Sequence, residues 1–271
     1  MKNRMNLISH YTDYGRKDFW DSESPVRCVC DDLITKTVRK GKQVALLIEP
    51  RPIQPRVYEY ILDHYDEYEY VFTHDSYLLK NLPNAKPILW GNVWCRCANP
   101  KKTKLISMTS SDKEMCELHK ERKRIARKYK DKIDVYGTID GGNWCDPIDT
   151  LEPYMYSVVI ENHIDDIWFT EKICNCFATK TIPIYYGARD IENHFYEDGI
   201  INCKSIQEIE DRIDDILKNS SVYELRYNLT NVSGILRKNF ELSKQYENFD
   251  EWFYKTYEKE IGGLFNNGEK L

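Results

Sequence analysis

The sequence predicts an α/β protein made of two Rossmann-like domains facing a cleft. Short continuous apolar runs recur along it, such as Val44-Ala45-Leu46-Leu47-Ile48 and Ile182-Pro183-Ile184-Tyr185-Tyr186, the pattern of strands buried in a parallel sheet. Between these runs apolar residues return every three or four positions, as on helices packed against a sheet. The alternation restarts after Asn99-Pro100-Lys101-Lys102, a polar, turn-prone stretch that separates residues 1–99 from 100–271.

Taken in order, residues 33–38 read as a helix with basic Arg39-Lys40 at its end, where the dipole favours cations, and Gly41 as its stop. The strand at 44–48 stops at Glu49-Pro50-Arg51-Pro52. Tyr58, Ile61, Leu62 and Tyr65 then share a helical face. Residues 69–72 form a strand before Thr73-His74-Asp75, and 88–90 a third. Beyond the boundary come a strand at 105–108, a basic helix with Leu118, Ile125 and Tyr129 on one face, and a strand at 133–136 closed by Gly137. A strand at 157–160 leads to a helix at 170–179, with Ile173 and Phe177 four apart. Strands at 182–186 and 200–201 follow. Ser205-Ile206-Gln207-Glu208 is a capping box for a helix carrying Ile206, Ile209, Ile213 and Ile216. A last amphipathic helix lies around Phe249, Trp252, Phe253 and Tyr257; the sequence leaves open whether it crosses back to the first domain.

Composition narrows the function. Of 271 residues, 41% are hydrophobic, enough for a packed core, and the net charge of -5 argues against a dedicated nucleic-acid binder. An anionic ligand must therefore meet a local cluster of Lys and Arg. The polar N-terminal ~20 residues lack the apolar core of a signal peptide, and no run approaches the ~20 apolar residues of a membrane span. The expectation is a soluble, cytoplasmic protein. Nine cysteines suit a reducing compartment. Six form Cys-x-Cys pairs (Cys28/Cys30, Cys95/Cys97, Cys174/Cys176), a gap unsuited to zinc, so buried thiols and no metal are expected.

In open parallel sheets ligands sit at the carboxyl ends of strands. Polar residues closing apolar runs are thus the candidates: Glu49, Thr73-His74-Asp75, Ser110-Ser111 and Glu161-Asn162. Lys172 falls in the first turn of a helix, where the macrodipole disfavours a cation. A phosphate held there, with help from free helix amides, would compensate it; the alternative is a lysine that reaches water. Glu171 beside it suits sugar hydroxyls, or is a normal first-turn acid. In the run His119-Lys120-Glu121-Arg122-Lys123-Arg124, one arginine, Arg122 foremost, could clamp a diphosphate while the others are solvated. Glu49, followed by two nearby prolines, reads equally as a general base or a solvated strand end. His74 and Asp75 are adjacent and so rarely face each other, and Asp165-Asp166 lacks further metal-ligand spacing. There is no Gly-x-Gly-x-x-Gly and no Walker loop, which weakens nicotinamide and P-loop readings.

Together, Tyr156-Ser157-Val158-Val159-Ile160-Glu161-Asn162, Trp168-Phe169-Thr170-Glu171-Lys172-Ile173 and Thr181-Ile182-Pro183-Ile184-Tyr185-Tyr186-Gly187 resemble the donor-binding signature of glycosyltransferase family 10, the α-1,3/1,4-fucosyltransferases. The match spans about thirty residues with the family's internal spacing. Asp134-Val135-Tyr136-Gly137 and the region from Phe195 to Asn202 continue it weakly; Ile48-Glu49-Pro50 matches loosely. The resemblance implies a GT-B fold and an inverting transferase that moves L-fucose from GDP-fucose to a hydroxyl of a glycan acceptor, with no cofactor and no bound metal for its chemistry. It implies that Lys172 and an arginine of the 118–129 helix bind the diphosphate, with the register of Arg122 against Lys120 or Arg124 open. It places Asn162 and Trp168 in the donor pocket, Glu171 on ribose or sugar hydroxyls and Glu49 as the base, beside the strand-end Glu161 already expected to face the donor. The family usually has tyrosine where Trp168 stands. The alternatives are a same-fold transferase of another nucleotide sugar and a non-catalytic nucleotide- or carbohydrate-binding protein.

Overall fold

The computed structural model describes residues 3–10 and 19–266. Part of the polar N-terminal stretch, 11–18, lies outside the described residues. The chain divides into two compact units: residues up to Leu89 together with those from Asn248 onward, and Trp90–Glu247.

The first unit carries β1 (Asn6–Ile8), β2 (Arg27–Cys30), β3 (Gln43–Leu46), α1 (Pro55–His64), β4 (Val71–Thr73), α2 (Ser76–Asn81) and β5 (Ala85–Pro87). All five strands are parallel, in the order β1-β2-β3-β4-β5. Successive strand residues face opposite sides, so the sheet needs cover on both. Val29, Ala45 and Val71 pack with Val57, Tyr58 and Ile61 of α1.

The second unit carries β6 (Lys104–Thr109), α3 (Glu117–Tyr129), β7 (Asp134–Tyr136), α4 (Pro147–Leu151), β8 (Tyr154–Ile160), α5 (Glu171–Ala178), β9 (Ile182–Tyr186), β10 (Ile201–Asn202), α6 (Ile206–Lys218), α7 (Ser220–Tyr227) and α8 (Thr230–Ser243). Its sheet is also parallel, in the order β10-β9-β8-β6-β7. The order reverses between β8 and β6, and the crevice beyond the carboxyl ends of such a pair is where open sheets bind ligands. Ile106, Met108, Tyr156, Val158, Ile182 and Ile184 meet Ile125 and Tyr129 of α3 and Ile209, Ile213 and Ile216 of α6 in one core. The chain then returns to the first unit with α9 (Phe249–Thr256) and α10 (Glu258–Phe265). There Phe253 and Tyr257 lie 4.8 Å from Phe72, covering that face of the first sheet.

Several elements differ from expectation. Residues 33–38 are not an α-helix: a short 3-10 turn, Asp31–Ile34, stands there. The third strand is Ala85–Pro87 rather than 88–90, because the apolar Ile88-Leu89-Trp90 follows the paired stretch. Residues 90–99 belong with the second unit, where Asn175 Oδ1 accepts from the amides of Trp94 (2.8 Å) and Cys95 (3.3 Å). All nine cysteines are free thiols.

Candidate active site

Strands β6 and β8 deliver their ends to a cavity of about 240 Å3 at the switch point. Thr109, Ser110 and Gly137 form one wall, Glu171 and Lys172 of α5 another, and Arg122 of α3 reaches in. Gly137 is required: its φ is 99°, and a Cβ there would lie 2.2 Å from the Ser110 carbonyl oxygen.

Arg122 is inward because of its place on α3. It falls four residues after Leu118 and three before Ile125, so it shares their buried stripe. Its Nη2 donates to Asn162 Oδ1 at 2.6 Å, while its buried Nε has no partner among the described residues. The neighbouring cations are engaged elsewhere. Lys120 pairs with Glu117, Lys123 with Asp112 and Glu114, and Arg124 and Lys128 with Glu210. Among the described residues of this helix, Arg122 is the cation that lines the cavity.

Asn162 is not itself on the cavity wall but stands behind Arg122, and its Oδ1 also lies 3.0 Å from His119 Nε2. Burial, and then the charge of Arg122, push His119 down to about 4, so at neutral pH its ring is uncharged. An Asn carbonyl that accepts from Arg122 assigns the His119 proton to Nε2 and leaves Asn162 Nδ2 as a donor for other partners. Ser110 Oγ and His119 Nδ1 are likewise buried without a partner among the described residues. Two of these orphan polar atoms, those of Ser110 and Arg122, belong to residues that line the cavity, the mark of a site built for a polar ligand.

Two expectations need correcting. Glu161 does not face the ligand cavity: it is fully buried. Its carboxylate accepts from the Thr170 amide (3.0 Å), the Thr170 hydroxyl (2.8 Å) and Lys172 Nζ (3.3 Å). Lys172 therefore does not depend on a phosphate to be tolerated at its helix N-terminus. Burial alone would lower its pKa, but Glu161 and Glu171 outweigh burial and hold it above the ordinary lysine value. Its side chain remains a quarter exposed and still lines the cavity. Trp168 is also buried, 2% exposed, and is absent from the cavity wall. Its loop is tied down by backbone bonds from Arg189 and Asp190 to the carbonyls of Asp165 and Asp166. Arg189 also pairs with Asp166 at 2.8 Å and lies 4.0 Å from Asp165.

Glu161→Ala would leave the mostly buried Lys172 ammonium without its deepest partner. The expected loss is about 2 kcal/mol of stability, less than for a fully buried pair. Urea unfolding measures it; an unchanged midpoint would show that Glu161 does not hold Lys172.

In the first unit, Glu49 follows β3 and is half-buried. The Tyr58 hydroxyl donates to its carbonyl at 2.9 Å. His74 and Asp75 turn to different partners. His74 Nε2 lies 3.4 Å from Tyr58 Oη, whereas Asp75 caps α2 and binds Arg51 through both oxygens, at 2.8 and 2.9 Å.

The family model for glycosyltransferase family 10 (fucosyltransferase), C-terminal part, matches residues 99–251, more than half of the chain. The chain belongs to glycosyltransferase family 10. It is a glycosyltransferase, and every residue lining the switch-point cavity except Trp94 lies within the matched range. A crystal structure of an α1,3-fucosyltransferase with GDP-fucose is similar at TM-score 0.53 and 14% identity, covering 90% of this chain and 79% of that one. TarM is similar at TM-score 0.53 and 12% identity, covering 89% of this chain and 55% of that one. At such identities the likeness establishes the fold, which is GT-B. No curated protein sequence matches this transferase. Among its described residues no helix is long and apolar enough to cross a membrane.

Sequence reasoning missed some of the transferase's cavity wall, including Trp94, Trp144 and Asn175. Asn175 had a signal: it is a polar residue within the otherwise apolar stretch Ile173 to Ala178, and it is 4% exposed.

Proposed function

We propose that this glycosyltransferase moves L-fucose from GDP-fucose to a hydroxyl of a glycan acceptor with inversion at the anomeric carbon. One observation carries the reading most. In a family 10 chain, Arg122 and Lys172, from two different helices, line one cavity at the sheet's switch point. Two cations at that place suit the diphosphate of a nucleotide sugar.

The reaction is a single displacement. The acceptor oxygen bonds to the anomeric carbon as the bond from that carbon to the diphosphate oxygen breaks, through an oxocarbenium-like state. Glu49 takes the acceptor's proton. Lys172 and Arg122 stabilise the negative charge that develops on departing GDP. Glu171 accepts hydrogen bonds from ribose or sugar hydroxyls, and Asn162 donates through Nδ2. Glu161 acts through Lys172, by holding its ammonium. The two side-chain cations supply positive charge at the leaving group, so the reading requires no bound metal or cofactor.

Thermal shift with GDP, GDP-fucose, UDP and UDP-N-acetylglucosamine tests the donor. GDP and GDP-fucose are expected to stabilise the protein, by about 2.7 kcal/mol at a hundredfold excess over Kd. Stabilisation by the uridine compounds alone would assign the same site to another nucleotide sugar. Binding of GDP-fucose with no transfer and no release of GDP would mark a non-catalytic binding protein.

A further inference from the structure

We propose that Asp31 is the positioning residue for Glu49, acting through hydrogen bonds from its carboxylate to the backbone on which Glu49 stands. The inference rests on Glu49 being the base. Asp31 directly follows β2, and β2 pairs with β3 in the register Cys30↔Leu46. It therefore stands beside the segment through which β3 exits toward Glu49. Asp31 Oδ1 accepts from the amide of Ile48 at 2.7 Å and from that of Glu49 at 3.1 Å. On the other side of the same residue, the Tyr58 hydroxyl holds the Glu49 carbonyl. Both peptide groups flanking the Glu49 Cα are thus tied to side chains of the first unit.

Asp31 occupies this place at a cost. Its φ is 50°, in the left-handed region that a non-glycine residue seldom adopts. It is 3% exposed, and among the described residues its second oxygen, Oδ2, is buried without a hydrogen-bond partner of its own. Strain and a buried carboxylate at one residue persist where the surroundings hold them for a purpose. Burial pushes the Asp31 carboxyl up to about 7; the two amide bonds and a hydrogen bond from the Cys30 thiol oppose that rise, and the charge of Glu49 adds to it. The other titratable groups facing it are the thiols of Cys28 and Cys30 and the phenol of Tyr58. Burial raises all three, so they stay neutral and Glu49 is the charge that Asp31 senses.

The sign of the pH effect follows. A carboxyl whose folded pKa is raised binds its proton more tightly when folded. Its contribution to stability is complete below the ordinary value of 3.8 and is lost as pH rises through about 7. Asp31→Asn, which cannot ionise, is expected to be more stable than the parent at pH 8.

The test compares Asp31→Gly with Asp31→Asn. Glycine accepts the positive φ and removes the carboxylate without strain, whereas asparagine tolerates that φ and keeps the Oδ1 acceptor. GDP release from GDP-fucose gives turnover, calorimetry with GDP gives donor affinity, and NMR amide exchange reads Ile48 and Glu49. For Asp31→Gly, kcat is expected to fall about 100-fold with GDP affinity unchanged and both amides exchanging faster. Asp31→Asn restores the protection and most of kcat, and flattens the change in turnover that the parent shows through pH 7. Parent-like kcat in Asp31→Gly, or an equal loss of kcat and GDP affinity, overturns the proposal. Should Asp31→Gly fail to fold, unprotected Ile48 and Glu49 amides in the parent, or an Asp31→Asn pH profile identical to the parent's, overturn it. A parent that releases no GDP from GDP-fucose overturns the reading of the function instead, and amide exchange still decides whether Asp31 holds the segment.

Discussion

Glu49→Gln is expected to lower turnover about a thousandfold while leaving GDP affinity unchanged, a barrier increase of about 4 kcal/mol. Glutamine has the size of glutamate but cannot take a proton at neutral pH. The bonds that fix this position reach its backbone, from Asp31 and Tyr58, so the substitution leaves them in place. The cations proposed for the diphosphate belong to the other unit, so donor binding is an internal control. Steady-state release of GDP from GDP-fucose, run beside calorimetry with GDP, measures both. Near-parent turnover with intact GDP binding would remove Glu49 as the base.

Lys172→Ala is expected to weaken GDP binding about thirtyfold, the worth of one hydrogen bond to a charged group, and to lower turnover about a hundredfold. The single substitution has a second consequence, because it leaves the fully buried Glu161 carboxylate without its cation. Loss of affinity could then reflect a loosened α5 rather than a missing phosphate contact. The double variant Glu161→Ala/Lys172→Ala separates the two effects. Removing both charges is expected to recover part of the stability and none of the GDP affinity. Calorimetry with GDP and urea unfolding on the parent, the single and the double variant give the full cycle. If Lys172→Ala binds GDP as tightly as the parent, the phosphate role is wrong.

Much of the fold could be read from residue pattern. β9 coincides with the expected run at 182–186, because buried parallel strands are apolar on both faces and this one is flanked by polar turns. α6 begins at its capping box, with the Ser205 hydroxyl accepting from the Glu208 amide. β1 and β2 went unread for equally physical reasons. Asn6–Ile8 is three residues long, and Arg27–Cys30 opens on a charge, so neither shows a period. Asp31 escaped notice because a carboxylate in a short turn carries no pattern; its bonds run to residues 17 and 18 positions away.

The candidate site divides along the same line. Motif spacing from Tyr156 to Gly187 was enough to name the family and to point to Lys172 and Glu171, both of which line the cavity, since strand end and helix start adjoin locally. Two points depended on packing. Glu161 ends an apolar strand as a ligand-facing residue would, yet it turns inward to hold Thr170 and Lys172, because a buried cation needs a buried counter-charge. The basic run on α3 offers several cations of similar chemistry. Arg122 is the one in the cavity because the buried stripe of its helix, set by Leu118, Ile125 and Tyr129 against the sheet, carries it 2.6 Å from an Asn162 that lies 40 residues further along the chain. Residue type and spacing define which groups are available; the way a helix packs on its sheet selects the one that reaches the cavity.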